Sequence, residues 1–435
     1  MVMGETSKMP NLRKPAAACS VLSMTALATV LGCGLTVTPA KAEPTVEVLH
    51  YWTSGGESKA AGALRQDFEA AGGKWIDAPV AGGGGDAAST VLRSRVLAGD
   101  PPNAVQLKGP NIKEWAAQGK LAPLDEVAKA ENWDAILPAM IRDVVTYKGH
   151  YYAVPVNIHR VNWLWVNPQV MQKAGVAIPK TWDEFNAAAE KLKAAGIVPL
   201  AHGGQPWQEA GLFEGIVLGM GGADFYKKAL VELDPKALTS DTMVKVFDQL
   251  RKMRGYVDEG FAGREWNRAA AMLMNGQAAM QIMGDWEKGE LTAAGKVPGK
   301  DFVCANLPGQ SGYTVNADSF VMFTSANADR GAGQKLLAKL ILGKKFQETF
   351  NVLKGSIPAR QDMARDSFDE CAVKSMDDLK AAVDSNSVVP SMAHEMAVPG
   401  AVRGAFLDVV TAYFNSGMTS QDAVKRLAEA VDLAK

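Results

Sequence analysis

The sequence predicts an α/β protein built of sheets flanked by helices, and three observations carry the prediction. Short apolar runs alternate with amphipathic stretches from Val46 to Gly119, a β-α-β-α-β series with short connections that marks a parallel sheet covered by helices. A second run of strand-like and helix-like segments begins near Tyr147 and extends past Trp286. The roughly 390 residues that follow an apolar leader exceed what one hydrophobic core organises, so two domains are expected.

The leader sets the compartment. Arg13 and Lys14 precede Pro15 to Ala40, a stretch without a charged residue, rich in Ala, Leu and Val, that runs into the small-x-small pattern Ala40-Lys41-Ala42. Charged start, apolar middle and small-residue exit describe a secretory signal over residues 1–42, cleaved after about Ala42. The stretch is long enough to span a bilayer, but Pro15, Gly32, Gly34, Pro39 and the cleavage pattern argue against a retained anchor. Lipid attachment at Cys33 is an alternative that Leu31 disfavours.

Residues 1–42 hold Lys8, Arg13, Lys14, Lys41 and Glu5, which leaves 42 Lys and Arg against 46 Asp and Glu, a net charge of −4. A mildly acidic chain with no basic stripe is a poor match for nucleic acid. No later apolar run reaches membrane-spanning length, so the mature chain is expected to be soluble. Cys304 and Cys371 remain as an even pair in an oxidising compartment, which admits one structural disulfide, and their separation has no metal-site spacing.

Val46-Glu47-Val48-Leu49 reads as a buried strand running into His50-Tyr51-Trp52-Thr53-Ser54-Gly55-Gly56-Glu57. Two aromatics stand where this strand ends, two glycines allow a tight turn, and a carboxylate opens the next helix. Open α/β sheets bind ligands at the carboxyl ends of their strands. An aromatic face beside an acid suits a sugar ring, which stacks through its apolar face while its hydroxyls donate. Core packing is the competing reading of a Trp in this place. The helix from Glu57 to Ala70 presents Leu64 and Phe68 on one face. A second strand follows around Lys74-Trp75-Ile76, then a helix that Asp86 can cap, with Leu92 and Val96 inward. Asn103 to Leu107 is a third strand, stopping at Lys108-Gly109-Pro110, and the helix opened by Asn111 closes at Gly119.

In the second unit, Lys148-Gly149 among aromatic residues predicts a hairpin, and Pro155 a point where the chain crosses between units. A strand over Val161 to Val166 precedes Thr181-Trp182-Asp183-Glu184, a capping box that opens a helix ending at Gly196. Further strands are predicted over Ile197 to Ala201, Ala278 to Met283, Phe302 to Leu307 and Tyr313 to Phe323. Helices are predicted from Asp241 and from Trp266, and beyond Ala326 the chain reads as almost wholly helical. Gly82 to Gly85 precede a helix, but no Gly-Lys-Ser/Thr and no GxGxxG in register accompanies them, so a flexible turn is expected rather than a nucleotide loop. No cofactor motif is present. Glu57, Asp318 and Glu290 could supply a glycosidase acid and nucleophile, but nothing in the sequence fixes their separation, and GxSxG, HExxH and CxxC are absent.

The motifs YWTSGGE, KGHYYAVPV, IPKTWDEF, GDWEKGE and LKGSIPAR and the segment SMAHEM, in this order and spacing, resemble those of the extracytoplasmic sugar-binding proteins of ABC importers. These are the family 1 extracellular solute-binding proteins, the class that includes maltose-binding protein. The resemblance runs over essentially the whole mature chain and is closest to the periplasmic glucose-binding proteins of Gram-negative bacteria. It implies the two-lobed type II periplasmic-binding-protein fold, each lobe a sheet flanked by helices, with the ligand in the interlobe cleft. It divides the chain into an N-terminal lobe of residues 43–155 and 317–366 and a C-terminal lobe of 156–316 and 367–435. It also implies a monomer in the periplasm that captures a monosaccharide, glucose first, and hands it to the membrane permease subunits of an ABC importer. An oligosaccharide carrier with a longer cleft is the alternative.

Residue by residue, the resemblance places the sugar against Trp52 and Glu57, with Lys108 donating to a hydroxyl. Trp266 and Trp286 supply aromatics from the second lobe, Asp318 an acid near the crossing, and Lys354 and His394 complete the shell. His159, Trp207 and Gln208 are further candidates for the cleft wall, while Tyr51 is expected to turn into its lobe. Packing or surface exposure is the competing role for each. His394 has no second His at metal spacing, so no metal site is expected.

Overall fold

The computed structural model describes residues 43–309 and 311–435, so the expected signal of residues 1–42, with Cys33, lies outside the described residues. The chain begins with β1 (Thr45–His50), α1 (Gly55–Ala70), β2 (Lys74–Pro79), α2 (Asp86–Leu97) and β3 (Ala104–Leu107), with β1 parallel to both β2 and β3. Lys148 and Gly149, at φ of 50° and 83°, form the two-residue turn of a small hairpin. β4 (Ala153–Pro155) then joins the first sheet, and β5 (Asn157–Arg160) leaves it.

The second sheet gathers β6 (Trp163–Val166), β7 (Val198–Ala201), β8 (Ala278–Met283) and β9 (Val303–Asn306) in the order β9-β6-β8-β7. β10 (Tyr313–Asn316) lies antiparallel to β5, and β11 (Ser319–Met322) returns to the first sheet between β3 and β4. A third sheet, β12-β5-β10-β13, is completed by β12 (Ile357–Pro358) and β13 (Val388–Pro390). Both crossings between the two large sheets, at Val156 and at Ala317-Asp318, are therefore flanked by strands of this third sheet.

Three differences from the sequence reading have physical causes. The strand expected over Tyr313 to Phe323 breaks in two, because its halves pair with different sheets and Asp318 occupies the break. Two short strands, β12 and β13, interrupt the region expected to be helical after Ala326, because they pair with β5 and β10 to complete the third sheet. The helix α3 (Pro206–Tyr226), which breaks at Gly222, was not anticipated, since its first part, from Trp207 to Leu218, is buried on nearly every side and shows no amphipathic period. Among the described residues, no helix is long and apolar enough to cross a membrane.

Separate cores underlie the two large sheets, one including Val48, Phe68 and Phe320, the other Phe185, Phe213 and Phe406. The remaining helices that matter for the cleft are α4 (Trp266–Met274), α5 (Trp286–Ala293), α6 (Lys344–Lys354), α7 (Glu370–Asp384) and α8 (Gly400–Phe414). Cys304 on β9 and Cys371 on α7 form a disulfide with Cα atoms 5.9 Å apart, tying the edge strand of the second sheet to a helix 67 residues away. Closing a loop of that length constrains the unfolded chain. Replacing both cysteines with Ser is therefore expected to lower stability by about 3 kcal/mol in urea titrations; a loss below about 1 kcal/mol would show that the bridge contributes little.

Candidate functional site

The carboxyl ends of β1 and β3, the break between β10 and β11, the first turns of α4 and α5 and the last turn of α6 converge on one narrow cavity. Trp52, Glu57, Lys108, His159, Trp207, Trp266, Trp286, Asp318, Lys354 and His394 all line it. Gln208 does not. Its amide donates to Gln205 Oε1 at 2.9 Å and to the Arg264 carbonyl at 3.2 Å, and it borders a separate small void. Roomier hollows exist, such as an apolar groove lined by Met140, Ile158, Met376 and Val388, but that groove lacks the aromatic faces and buried charges of this cavity.

Tyr51 also lines the cavity, which corrects the expectation that it turns into its lobe. β1 has ended at His50, so strict strand alternation no longer sends Tyr51 and Trp52 to opposite faces. The Tyr51 hydroxyl donates to Asp318 Oδ1 at 3.3 Å, and its ring lies 5.2 Å below Lys108 Nζ. Trp52 is held by Phe320 and Phe350, with ring centroids 5.5 and 5.0 Å away. The glycine run is part of the wall rather than a loose turn. A Cβ on Gly83 would lie 3.0 Å from both Trp207 and Trp266, and Gly84, at φ 82°, packs on the Trp207 ring and gives its carbonyl to Lys108 Nζ at 3.0 Å. Asp86 makes no cap; it is in the first helical turn and pairs with Arg403 at 2.6 Å.

Charge in the site is paired and almost wholly buried. Glu57 Oε1 accepts from Lys354 Nζ at 2.9 Å, and Lys354 stands 5.8 Å over the Trp286 ring. His159 is held between two acids, Nδ1 on Asp285 and Nε2 on Asp318 at 3.1 Å. Burial opposes a charged ring there, but the two carboxylates outweigh it and raise the His159 pKa. Burial likewise works against ionised Asp318, yet the His159 hydrogen bond and charge, with Lys354 and Lys108, hold its carboxyl well below the usual range. Asn157 adds a donor to Asp318 Oδ2 at 3.3 Å.

His394 is the opposite case. Burial lowers its pKa, and although Glu214 pulls the other way, the ring is neutral. Ser391 Oγ donates to Glu214 Oε1 at 2.6 Å, so it accepts from His394 Nδ1 at 2.8 Å. That assigns the proton to Nδ1 and leaves Nε2 as a bare acceptor without a protein partner. Trp52 Nε1 and Asn316 Oδ1, on two other residues lining the cavity, are also buried without partners. Buried polar atoms are nearly always satisfied, so such a group on one cavity makes it the candidate site for a polar ligand. Sequence reasoning missed Asn316 and Asn157, which carry no local motif, and Asp285, which lies within GDWEKGE but was passed over for Trp286; their positions at strand ends could have suggested them. Among the described residues, no cluster of His, Cys, Asp and Glu could hold a metal ion.

Two α/β lobes with a polar, aromatic-walled cavity at their strand ends define a two-lobed binding protein. Residues 53–342 match the bacterial extracellular solute-binding protein family, and the chain belongs to it. The family is one of binding proteins, not enzymes. A probable sugar-binding periplasmic protein of Brucella suis is 50% identical over 400 residues, covering 92% of this chain and 94% of that protein. Among solved structures, a chitin oligosaccharide binding protein has a TM-score of 0.78 at 20% identity, over 90% of this chain and 98% of that one. Maltose-bound MalE3 of T. maritima has a TM-score of 0.70 at 17% identity, over 89% and 99%. The fold is the type II periplasmic sugar-binding fold.

The His159 bridge predicts a pH dependence. Folding raises the His159 pKa, so its contribution is complete below the unfolded value of about 6.5 and is lost as pH climbs through the folded value. His394 and His202, both lowered by burial, act with the opposite sign and must be cancelled by difference. The stability gap between wild type and His159→Gln should therefore narrow from pH 6 to pH 9 in urea titrations, and a constant gap would show that the ring is not charged.

Proposed function

We propose that this chain is an exported sugar-binding protein of an ABC importer, which captures a monosaccharide, glucose first, between its lobes and delivers it to the membrane permease. The observation that carries this reading is the cavity itself. It is enclosed by aromatic faces and buried polar groups, the lining expected of a site for a small neutral sugar. Trp52, Trp266, Trp286 and Trp207 offer faces for axial C–H groups, while paired acids and amines with unpartnered acceptors meet hydroxyls from several sides. The buried charges are matched in sign, which favours a neutral polyol over a charged sugar. In a site of this kind a misplaced hydroxyl leaves a buried group unpaired, so isomers are discriminated.

The lobes take residues 43–155 with 317–366 and 156–316 with 367–435, and the sugar stabilises the closed form only by its differential affinity for it. Export follows from the leader, with the mature protein beginning near Glu43. Calorimetry with glucose, galactose, mannose and maltose tests the assignment; tightest binding of maltose would replace the monosaccharide by a longer ligand. Trp52→Ala and Lys354→Ala are each expected to weaken glucose binding by ~1–3 kcal/mol, the second because it also strands buried Glu57. Near wild-type titrations for both would remove these residues from the site.

A further inference from the structure

The N-terminus of α1 has no cap from its own segment. Ser54 occupies the N-cap position without a side-chain hydrogen bond to the helix, and its hydroxyl is buried without a partner. The acceptor comes instead from α5, where Glu290 Oε1 takes the Gly56 backbone N–H at 2.6 Å. α1 follows a strand of the first sheet and α5 a strand of the second, so this cap crosses the cleft. The service is returned, since Lys59 of α1 donates to the carbonyl of Ala293 at 3.3 Å, at the C-terminus of α5. Each helix thus satisfies an orphan end of the other, with charges of the sign that the helix dipoles favour.

The backbones are shaped for this approach. A Cβ on Gly56 would lie 2.7 Å from the Gly289 carbonyl, and one on Gly289 would lie 2.7 Å from the Lys354 carbonyl. Gly56 has an ordinary helical conformation, so it is the space, not the backbone angle, that calls for glycine there. Glu287, one turn before Glu290, is fully buried with both oxygens unpartnered, and burial, with the Glu290 charge, pushes its carboxyl well above the usual range. Neither Glu290 nor Gly56 lines the cavity.

We infer that Glu290 is a latch of the closed state, a residue that sets how long the sugar is held without touching it. The inference rests on the closing-clamp reading above. A contact made only after the lobes meet changes the rate of escape and leaves the rate of entry alone, which a merely structural residue would not do. Stopped-flow binding would use whichever of glucose, galactose, mannose and maltose binds wild type most tightly, with fluorophores on the two lobes reporting closure. Glu290→Ala is expected to raise the dissociation rate about tenfold, in line with loss of a charged hydrogen bond, with an unchanged association rate and an unchanged melting temperature of the sugar-free protein. Glu290→Gln, which keeps an acceptor, should fall between. Gly56→Ala, a favourable helix substitution in itself, should bind with a wider lobe separation and faster release. Wild-type release rates in both Glu290→Ala and Gly56→Ala, with wild type closing normally, would overturn the latch alone. Failure of wild type to bind any of the four sugars, or to close on them, would overturn the clamp reading and the latch with it.

Discussion

The His159 ring between Asp285 and Asp318 is the constraint around which the rest is arranged. His159 belongs to β5 of the third sheet, Asp285 follows β8 of the second sheet, and Asp318 fills the break where the chain returns to the first. Asp285 is fixed further by the backbone on both sides, accepting from Arg160 N at 2.9 Å and giving its own N–H to the Arg160 carbonyl at 3.0 Å. Three buried ionisable groups are costly to desolvate singly and tolerable only as a fully bonded set. Their geometry therefore fixes the relation of three sheets at the floor of the cavity, and Trp286, 5.2 Å from the His159 ring, is aligned by the same network.

What could be read in the sequence follows the range of each interaction. The strand-end aromatics, the capping box at Thr181 and Glu184 and the Lys148-Gly149 turn are set by neighbours within a few residues, and the structure contains each of them. The family motifs marked eight residues that the fold does bring to one cavity, and two of the three further candidates, His159 and Trp207, join them there. Partnerships were not legible in the same way. His159 meets acids 126 and 159 positions away, and Glu57 meets a lysine 297 positions away, so no window of sequence contains the pair. The glycine run illustrates the gap: absence of a nucleotide motif excluded one role, but its contact with Trp207 and Trp266 exists only after two lobes have folded. α3 escaped notice for the converse reason, because full burial erases the periodicity by which helices are found.

The geometry also bears on why such a clamp closes with its ligand and not without it. In the clamp proposed above, closure would take Trp52 Nε1, Asn316 Oδ1 and His394 Nε2, which are buried without a protein partner, out of water at a cost of about 1–3 kcal/mol each when nothing replaces their solvent. An empty closed cavity is therefore penalised by several kcal/mol, which a sugar removes by supplying hydroxyls to the same atoms. Against that penalty stand contacts that need no sugar, including the bond from the Gly56 N–H of α1 to Glu290 of α5 and the pair of Arg403 with Asp86. In such a clamp the balance between unsatisfied polar atoms inside and ligand-independent contacts at the rim would set the resting population of closed protein. Strengthening the rim alone would close the clamp empty, while satisfying the interior alone would leave it slow to hold its cargo. A binding protein that must both discriminate and release requires the two terms to be nearly equal, so the rim contacts contribute to affinity as directly as the residues that face the sugar.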